Sequence, residues 1–301
     1  MSNTLISEIA FALEAFMLDA EARQLRPSTL RYYRQQLTWF LSYAEDSGLR
    51  AVEQVSATTI RSYFTNMQAR GLSQASVQAA SRAIRAFCNF LVADELLARS
   101  PMQRVRTPKA DLRKPDAYTQ DEMKRIVEAA DSPRDKAIVL CLLDTGCRAS
   151  EFVAWNVGDV NVATGTVHVR HTKNRVERTV YLGTKTRRAL LKHLATLPDR
   201  MPDTPLWQNT QTGERLLPNG LRQLVSRIGR KAGVTPCNPH KFRRTFATWC
   251  LRNGMNVHDL KALMGHSGLE MLMRYMDNDT KSAHKAFGAV DGTLHRMSGR
   301  A

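Results

Sequence analysis

The segment 99–118, RSPMQRVRTPKADLRKPDAY, does more than any other to limit how this chain can fold. Pro101, Pro108 and Pro115 interrupt helices, basic side chains oppose burial, and no hydrophobic period runs through it. It reads as an inter-domain linker. At 301 residues the chain is long for one hydrophobic core, and this break divides it into two parts, 1–98 and 119 onward.

The first part is helical by its periodicity. Ile6, Ile9, Leu13, Phe16 and Met17 recur at spacings of three and four. A second helix starts at Pro27-Ser28, with Ser28 as its expected N-cap, and carries Leu30, Tyr33, Leu37, Phe40 and Leu41 as far as Gly48. A third, SATTIRSYFTNMQARG, is stopped by Gly71. Ser73 caps a fourth, whose inward face holds Val77, Ala80, Ile84, Phe87, Cys88 and Leu91. The outer faces carry two i, i+3 arginine pairs, Arg31/Arg34 and Arg82/Arg85, each either a solvated helix face or a phosphate contact.

Charge narrows the class of partner. The formal net charge is +16, from 44 basic and 28 acidic residues. The first 110 residues contribute +4 and the remainder +12, so both parts are basic, as expected of a clamp that grips one duplex from two sides. On this reading the 99–118 linker lies along DNA. The five cysteines are scattered without a CxxC pair, which argues against a disulfide framework or a zinc knuckle and for buried small hydrophobes. No apolar run approaches the ~18 residues of a membrane span, and the N-terminus lacks the basic start of a signal peptide. A cytoplasmic, nucleoid-associated protein with no membrane partner is the expectation.

The second part opens on Thr119-Gln120-Asp121-Glu122, a capping box ahead of EMKRIVEAA. The apolar helix DKAIVLCLLDTG ends at Gly146, and Arg148 follows at once, with Glu151 three residues on. An arginine at an apolar boundary needs an anionic partner, either Glu151 in a structural pair or an external anion. TVHVR (166–170) and RTVYL (178–182) alternate as two strands of a hairpin, with Lys173 and Arg175 near its tip. Helices follow at 184–197, 217–232, 239–253, 256–264 and 268–276, giving a mainly α chain with a small antiparallel β-sheet.

His240 and Arg243 lie one turn apart on one helix face, behind Pro239 in the first turn. His266 follows Gly265 at a helix exit, and Tyr275 comes nine residues later. Each of these residues has an ordinary structural reading when taken alone. Together, TGxRxSE, a hairpin lysine, HxxR, GH and a tyrosine at fixed spacing form a long ordered pattern. It closely resembles the tyrosine recombinase (phage integrase) family from Thr119 to Tyr275, and the N-terminal helices resemble that family's SAM-like core-binding domain.

The resemblance implies a helical core-binding domain over 1–98, the linker 99–118, a catalytic domain over 119–278 and a C-terminal tail over 279–301. In the family such a tail packs into a neighbouring protomer; packing in cis, or a tail without fixed structure, is the alternative here. The resemblance makes Arg148 and Arg243 the pair that grips the non-bridging oxygens of the scissile phosphate. Lys173, with Arg175 as rival, would protonate the leaving 5′-oxygen. His240 and His266 would assist proton movement, Tyr275 would attack phosphorus to leave a 3′-phosphotyrosyl link, and Glu151 would support Arg148. Lys241, Arg244 and Arg175 join the two helical arginine pairs as expected DNA contacts.

This chemistry is physically coherent. Guanidinium forks neutralise a phosphorane bidentately without a metal. A phenol of pKa ~10 needs its proton withdrawn before it can attack. The covalent link conserves the ester's energy, so no ATP, metal or other cofactor is expected. The implied partners are double-stranded DNA with an inverted-repeat site, three further copies in a tetramer, and an accessory DNA-bending or directionality protein. A type IB topoisomerase shares the tyrosine chemistry, and a non-catalytic DNA-binding relative would share the fold. The N-terminal bundle and the order of the motifs argue against the first, and the complete set of six chemical residues argues against the second.

Overall fold

The structure, a computed structural model, describes residues 7–107, 117–170 and 177–265. The chain divides into two compact units, Met1–Arg113 and Lys114–Ala301.

The first unit is built on α1 (Glu8–Ala22), α2 (Pro27–Asp46), α3 (Ala57–Ala69) and α4 (Gln74–Ala93). Ser7, Ser56 and Ser73 start α1, α3 and α4, each hydroxyl accepting a backbone N–H three residues on, at 3.2 Å. Phe16 sits at the centre, its ring meeting those of Tyr33, Phe87 and Phe90 at 5.3–5.8 Å. Ile9, Leu13, Met17, Leu37, Phe40 and the inward stripe of α4 close around it. Such side chains each contribute about 1.5–3 kcal/mol on full burial.

Two expectations need correction. Ser28 is not the N-cap of α2: Pro27 occupies the first helical turn and Arg26 the cap position. Proline's fixed φ suits that turn, and its missing N–H is an orphan there in any case. The segment 99–118 is not free linker throughout. Pro101–Arg104 forms a 3₁₀ turn, and Met102 and Val105 are buried in the first core. Ser81 and Thr107 hydroxyls hydrogen-bond at 2.7 Å. At the far end Tyr118 is buried in the second unit, where its backbone N–H donates to Thr245 Oγ1 at 2.8 Å.

The second unit runs α5 (Gln120–Ala129), α6 (Pro133–Thr145), α7 (Ala149–Val153), β1 (Val160–Asn161), β2 (Thr166–Val169), β3 (Arg178–Tyr181), α8 (Thr184–Leu194), α9 (Pro218–Lys231), α10 (Pro239–Arg252) and α11 (Val257–Met264). The expected capping box at Thr119 is present, with Glu122 returning its carboxylate to the Thr119 N–H at 2.8 Å. The antiparallel sheet has order β1-β2-β3, with Val167 opposite Val180 and Val169 opposite Arg178. Helix α6 packs against α8 and α10 and is the buried spine of this unit. Phe152, Trp207 and His193 stack beside it, with ring centroids 4.9 and 5.3 Å apart. No helix among the described residues is long and apolar enough to cross a membrane.

Candidate active site

Three short elements meet around one carboxylate. Helix α6 ends at Gly146, whose left-handed φ of +54° turns the chain sharply. That turn places Arg148 at the N-cap of α7, one turn from Glu151. Glu151 is 1 % exposed, and its carboxylate is fully engaged. Oε1 accepts from Arg148 Nη1 at 2.8 Å, while Oε2 accepts from the Arg148 backbone N–H at 3.1 Å and from Arg178 Nη2 at 2.7 Å. Burial acts to raise the Glu151 pKa. The hydrogen bond and charge of Arg178, followed by those of Arg148, outweigh burial and hold the carboxyl below its ordinary value.

The second focus is the exit of α11. The last two carbonyls of α11 and that of its cap residue Gly265 receive guanidinium N–H groups. Leu263 O accepts from Arg178 Nε at 2.6 Å, Met264 O from Arg243 Nη2 at 2.8 Å, and Gly265 O from Arg148 Nη2 at 3.2 Å. Arg243, 3 % exposed on α10, also donates Nη1 to Gly146 O at 2.7 Å, tying the α6 turn to the same place. Burial, and then the neighbouring charge of Arg148, lower the Arg243 pKa to about 10, so it stays cationic at neutral pH.

Three guanidinium groups and one carboxylate leave a local charge of +2 by formal count. Arg148 retains a quarter of its side-chain exposure, and its remaining N–H groups make no hydrogen bond among the described residues. Such an arrangement presents a fixed cationic fork to an anion. His240 stands at the surface one turn before Arg243 on α10. Local desolvation, then the charges of Arg244, Arg243 and Arg148, push its imidazole below the ordinary value, so the neutral ring dominates at neutral pH.

The structure thus brings Arg148, Glu151, Arg243 and His240 into one neighbourhood. The sequence left two readings for Arg148, a structural pair with Glu151 or an external anion. The pair is present, and an outward-facing edge remains beside it. Lys173, Arg175, His266 and Tyr275 lie outside the described residues. Lys241 departs from expectation: it is 6 % exposed, with Nζ 4.5 Å from the Tyr118 ring centroid, and does not reach outward for DNA. Its position on the buried face of α10, shared with Thr245 and Thr248, accounts for this. Arg244 is partly exposed. In the first unit, Arg31, Arg82 and Arg85 are exposed and Arg34 pairs with Glu14 at 2.9 Å. Among the described residues no group of three or more His, Cys, Asp and Glu is placed to hold a metal.

Sequence reasoning passed over Arg178 as a functional residue. Its signal was present: Arg178 is two residues from Val180 and so shares the core-facing side of β3. A strand arginine on an apolar face calls for a carboxylate, and Glu151 supplies it.

Comparison with known proteins agrees with this architecture. The model of the phage integrase family matches residues 117–282, and that of the phage integrase N-terminal SAM-like domain matches residues 14–95. Tyrosine recombinase XerC of Yersinia pestis is 31 % identical over 292 residues, covering 94 % of this chain and 95 % of that one. Tyrosine recombinase XerD of Oceanobacillus iheyensis is 30 % identical over 264 residues, covering 84 % and 88 %. In fold, the chain resembles a lambda integrase solved as a tetramer bound to a Holliday junction, with a TM-score of 0.73 at 17 % identity, covering 92 % of this chain and 79 % of that one. With family models spanning both units and relatives matched along most of their length, the chain belongs to the phage integrase family and is a tyrosine recombinase, an enzyme that breaks and rejoins DNA.

Proposed function

We propose that this recombinase cuts each strand by attack of Tyr275 on a phosphodiester held by Arg148 and Arg243. The single observation that carries this reading is the convergence of those two arginines, from helices nearly 100 residues apart in sequence, on the α11 exit, where Arg243 donates to Met264 O and Arg148 to Gly265 O. Arg243 stays cationic at neutral pH, and a phosphorane's added negative charge is what such guanidinium forks stabilise best. His240, held neutral by desolvation and then by the surrounding cations, is suited to accept a proton from the phenol. Lys173 takes the role of acid toward the leaving 5′-oxygen, and His266 joins His240 at the phosphate. The reaction consumes no nucleotide, because the 3′-phosphotyrosyl ester keeps the energy needed for rejoining.

The substrate is a pair of duplex sites, each an inverted repeat bound by two copies, with strands exchanged in a tetramer. The tetrameric state of the lambda integrase of similar fold supports this assembly. An accessory DNA-bending or directionality protein completes the proposed set of partners.

A nicked suicide duplex, built on the site the protein selects from a random-sequence pool, tests the chemistry. Wild type should accumulate a covalent 3′-adduct, and Tyr275→Phe should lower its formation by on the order of 10⁴-fold or more. An adduct that survives in Tyr275→Phe would remove that residue from the role of nucleophile.

A further inference from the structure

We infer that Arg178 is a positioning residue for strand cleavage, aiming Arg148 by occupying the carboxylate oxygen that Arg148 would otherwise take. The inference rests on the reading of Arg148 as a phosphate-binding group.

A carboxylate and a guanidinium left alone close a two-point fork, both oxygens against two parallel N–H groups. Here that fork is split. Oε2 of Glu151 is taken by Arg178 Nη2 at 2.7 Å and by the Arg148 backbone N–H at 3.1 Å. The Arg148 side chain receives Oε1 only, at 2.8 Å, and sends its second Nη to Gly265 O at 3.2 Å. Arg148 is thereby braced at two points that are not one carboxylate, with its remaining donors uncommitted.

Arg178 can hold this position because it is itself fixed on several sides. Its side chain is 7 % exposed, on the core face of β3. Nε donates to Leu263 O at 2.6 Å, and Nη2 also lies 3.6 Å from Cys147 Sγ. Gly265 packs directly on the guanidinium: a Cβ there would lie 2.9 Å from Nη1 and 3.3 Å from Cζ. Nη1 makes no hydrogen bond among the described residues, though it is buried. A planar, always-charged fork can serve Glu151 and Leu263 at once, which a lysine ammonium on a single stem cannot do equally well. Loss of Arg178 would free Oε2, let Glu151 draw Arg148 into a closed fork, and slacken the α11 exit.

The test compares Arg178→Met and Arg178→Lys with Arg148→Ala on the same suicide duplex, after circular dichroism and melting curves establish folding. Each is run with a phosphodiester and with a neutral methylphosphonate at the scissile position. The methylphosphonate removes one of the charges that Arg148 must neutralise, so it should partly restore cleavage by Arg148→Ala. If Arg178 acts through Arg148, folded Arg178→Met should bind the duplex within about threefold of wild type and cleave the phosphodiester about 10–100-fold more slowly, the scale of one charged hydrogen bond. It should also recover on the methylphosphonate as Arg148→Ala does, with Arg178→Lys in between.

Wild-type cleavage by folded Arg178→Met, or equal slowness on both substrates, overturns the inference. Should Arg178→Met fail to fold, Arg178→Lys decides: cleavage at the wild-type rate, or slow cleavage that the methylphosphonate leaves unchanged, is equally fatal. Absence of a wild-type adduct, or of methylphosphonate recovery in Arg148→Ala, would instead strike the assignment of the site.

Discussion

His240 shows how far a residue's chemistry is set by neighbours it does not bond. Its imidazole loses hydration beside α10 and faces Arg244, Arg243 and Arg148, so protonation would add a fourth positive charge. Arg244 is the largest of the three charge effects and is partly exposed. Replacing it with glutamine removes a like charge and favours imidazolium. The His240 pKa in Arg244→Gln should therefore rise toward the ordinary value near 6.5, read by NMR titration of ring-labelled histidine. An unchanged or lower pKa would mean that the Arg244 charge does not contribute to it. At this scale the sequence, through the spacing of its residues, was a good guide to which side chains lie together, Arg148 beside Glu151 and His240 one turn from Arg243. It misjudged Lys241, whose charge promised exposure, because nothing local announces the Tyr118 ring that receives it. It passed over Arg178 because the partner, Glu151, lies 27 residues away.

At the site the elements of the second unit meet at their ends, and the glycine turns there leave no room for a side chain. Gly146 closes α6 with φ of +54°, and a Cβ there would lie 2.5 Å from Phe246 Cδ1. Gly146→Ala would combine a left-handed alanine, about 1–2 kcal/mol, with overpacking of about 1–3 kcal/mol. A fall of about 2–5 kcal/mol in unfolding free energy should follow, measured by urea titration. Because Gly146 O accepts from Arg243, cleavage should drop as well, even in protein that remains folded. A variant as stable as wild type would show that Phe246 gives way freely. Helix starts were the most legible features at this scale, since Ser73 and Thr119 advertise their caps chemically. The burial of Met102 and Val105 was not legible. Met102 and Val105 project from a 3₁₀ turn too short to display a period, and the surrounding charges masked it.

For the whole molecule, charge is the dominant fact. A net +16, spread over both units, predicts DNA binding that collapses with salt. Log K should fall by ~0.9 per tenfold rise in salt for each phosphate neutralised, so a grip on about six or more phosphates should lose about 10³-fold or more in affinity between ~50 and ~200 mM salt. Fluorescence anisotropy at a series of salt concentrations checks this, and a nearly flat line would rule out a phosphate-gripping clamp. The domain plan of helical bundle, break and larger mixed unit could be anticipated because it rests on periodicity and punctuation. The meeting of α6, α7, β3 and α11 could not, because it depends on contacts between distant segments. That meeting also has a geometric consequence. With Leu263, Met264 and Gly265 each gripped by a guanidinium, the chain beyond them starts from a fixed anchor. Tyr275 is ten residues further on. A chain of that length spans at most ~3.3–3.6 Å per residue, so the proposed nucleophile is leashed: whatever path the tether takes, a phosphate that Tyr275 is to attack must come within about 35 Å of the arginines that anchor the tether, plus the length of one tyrosine side chain.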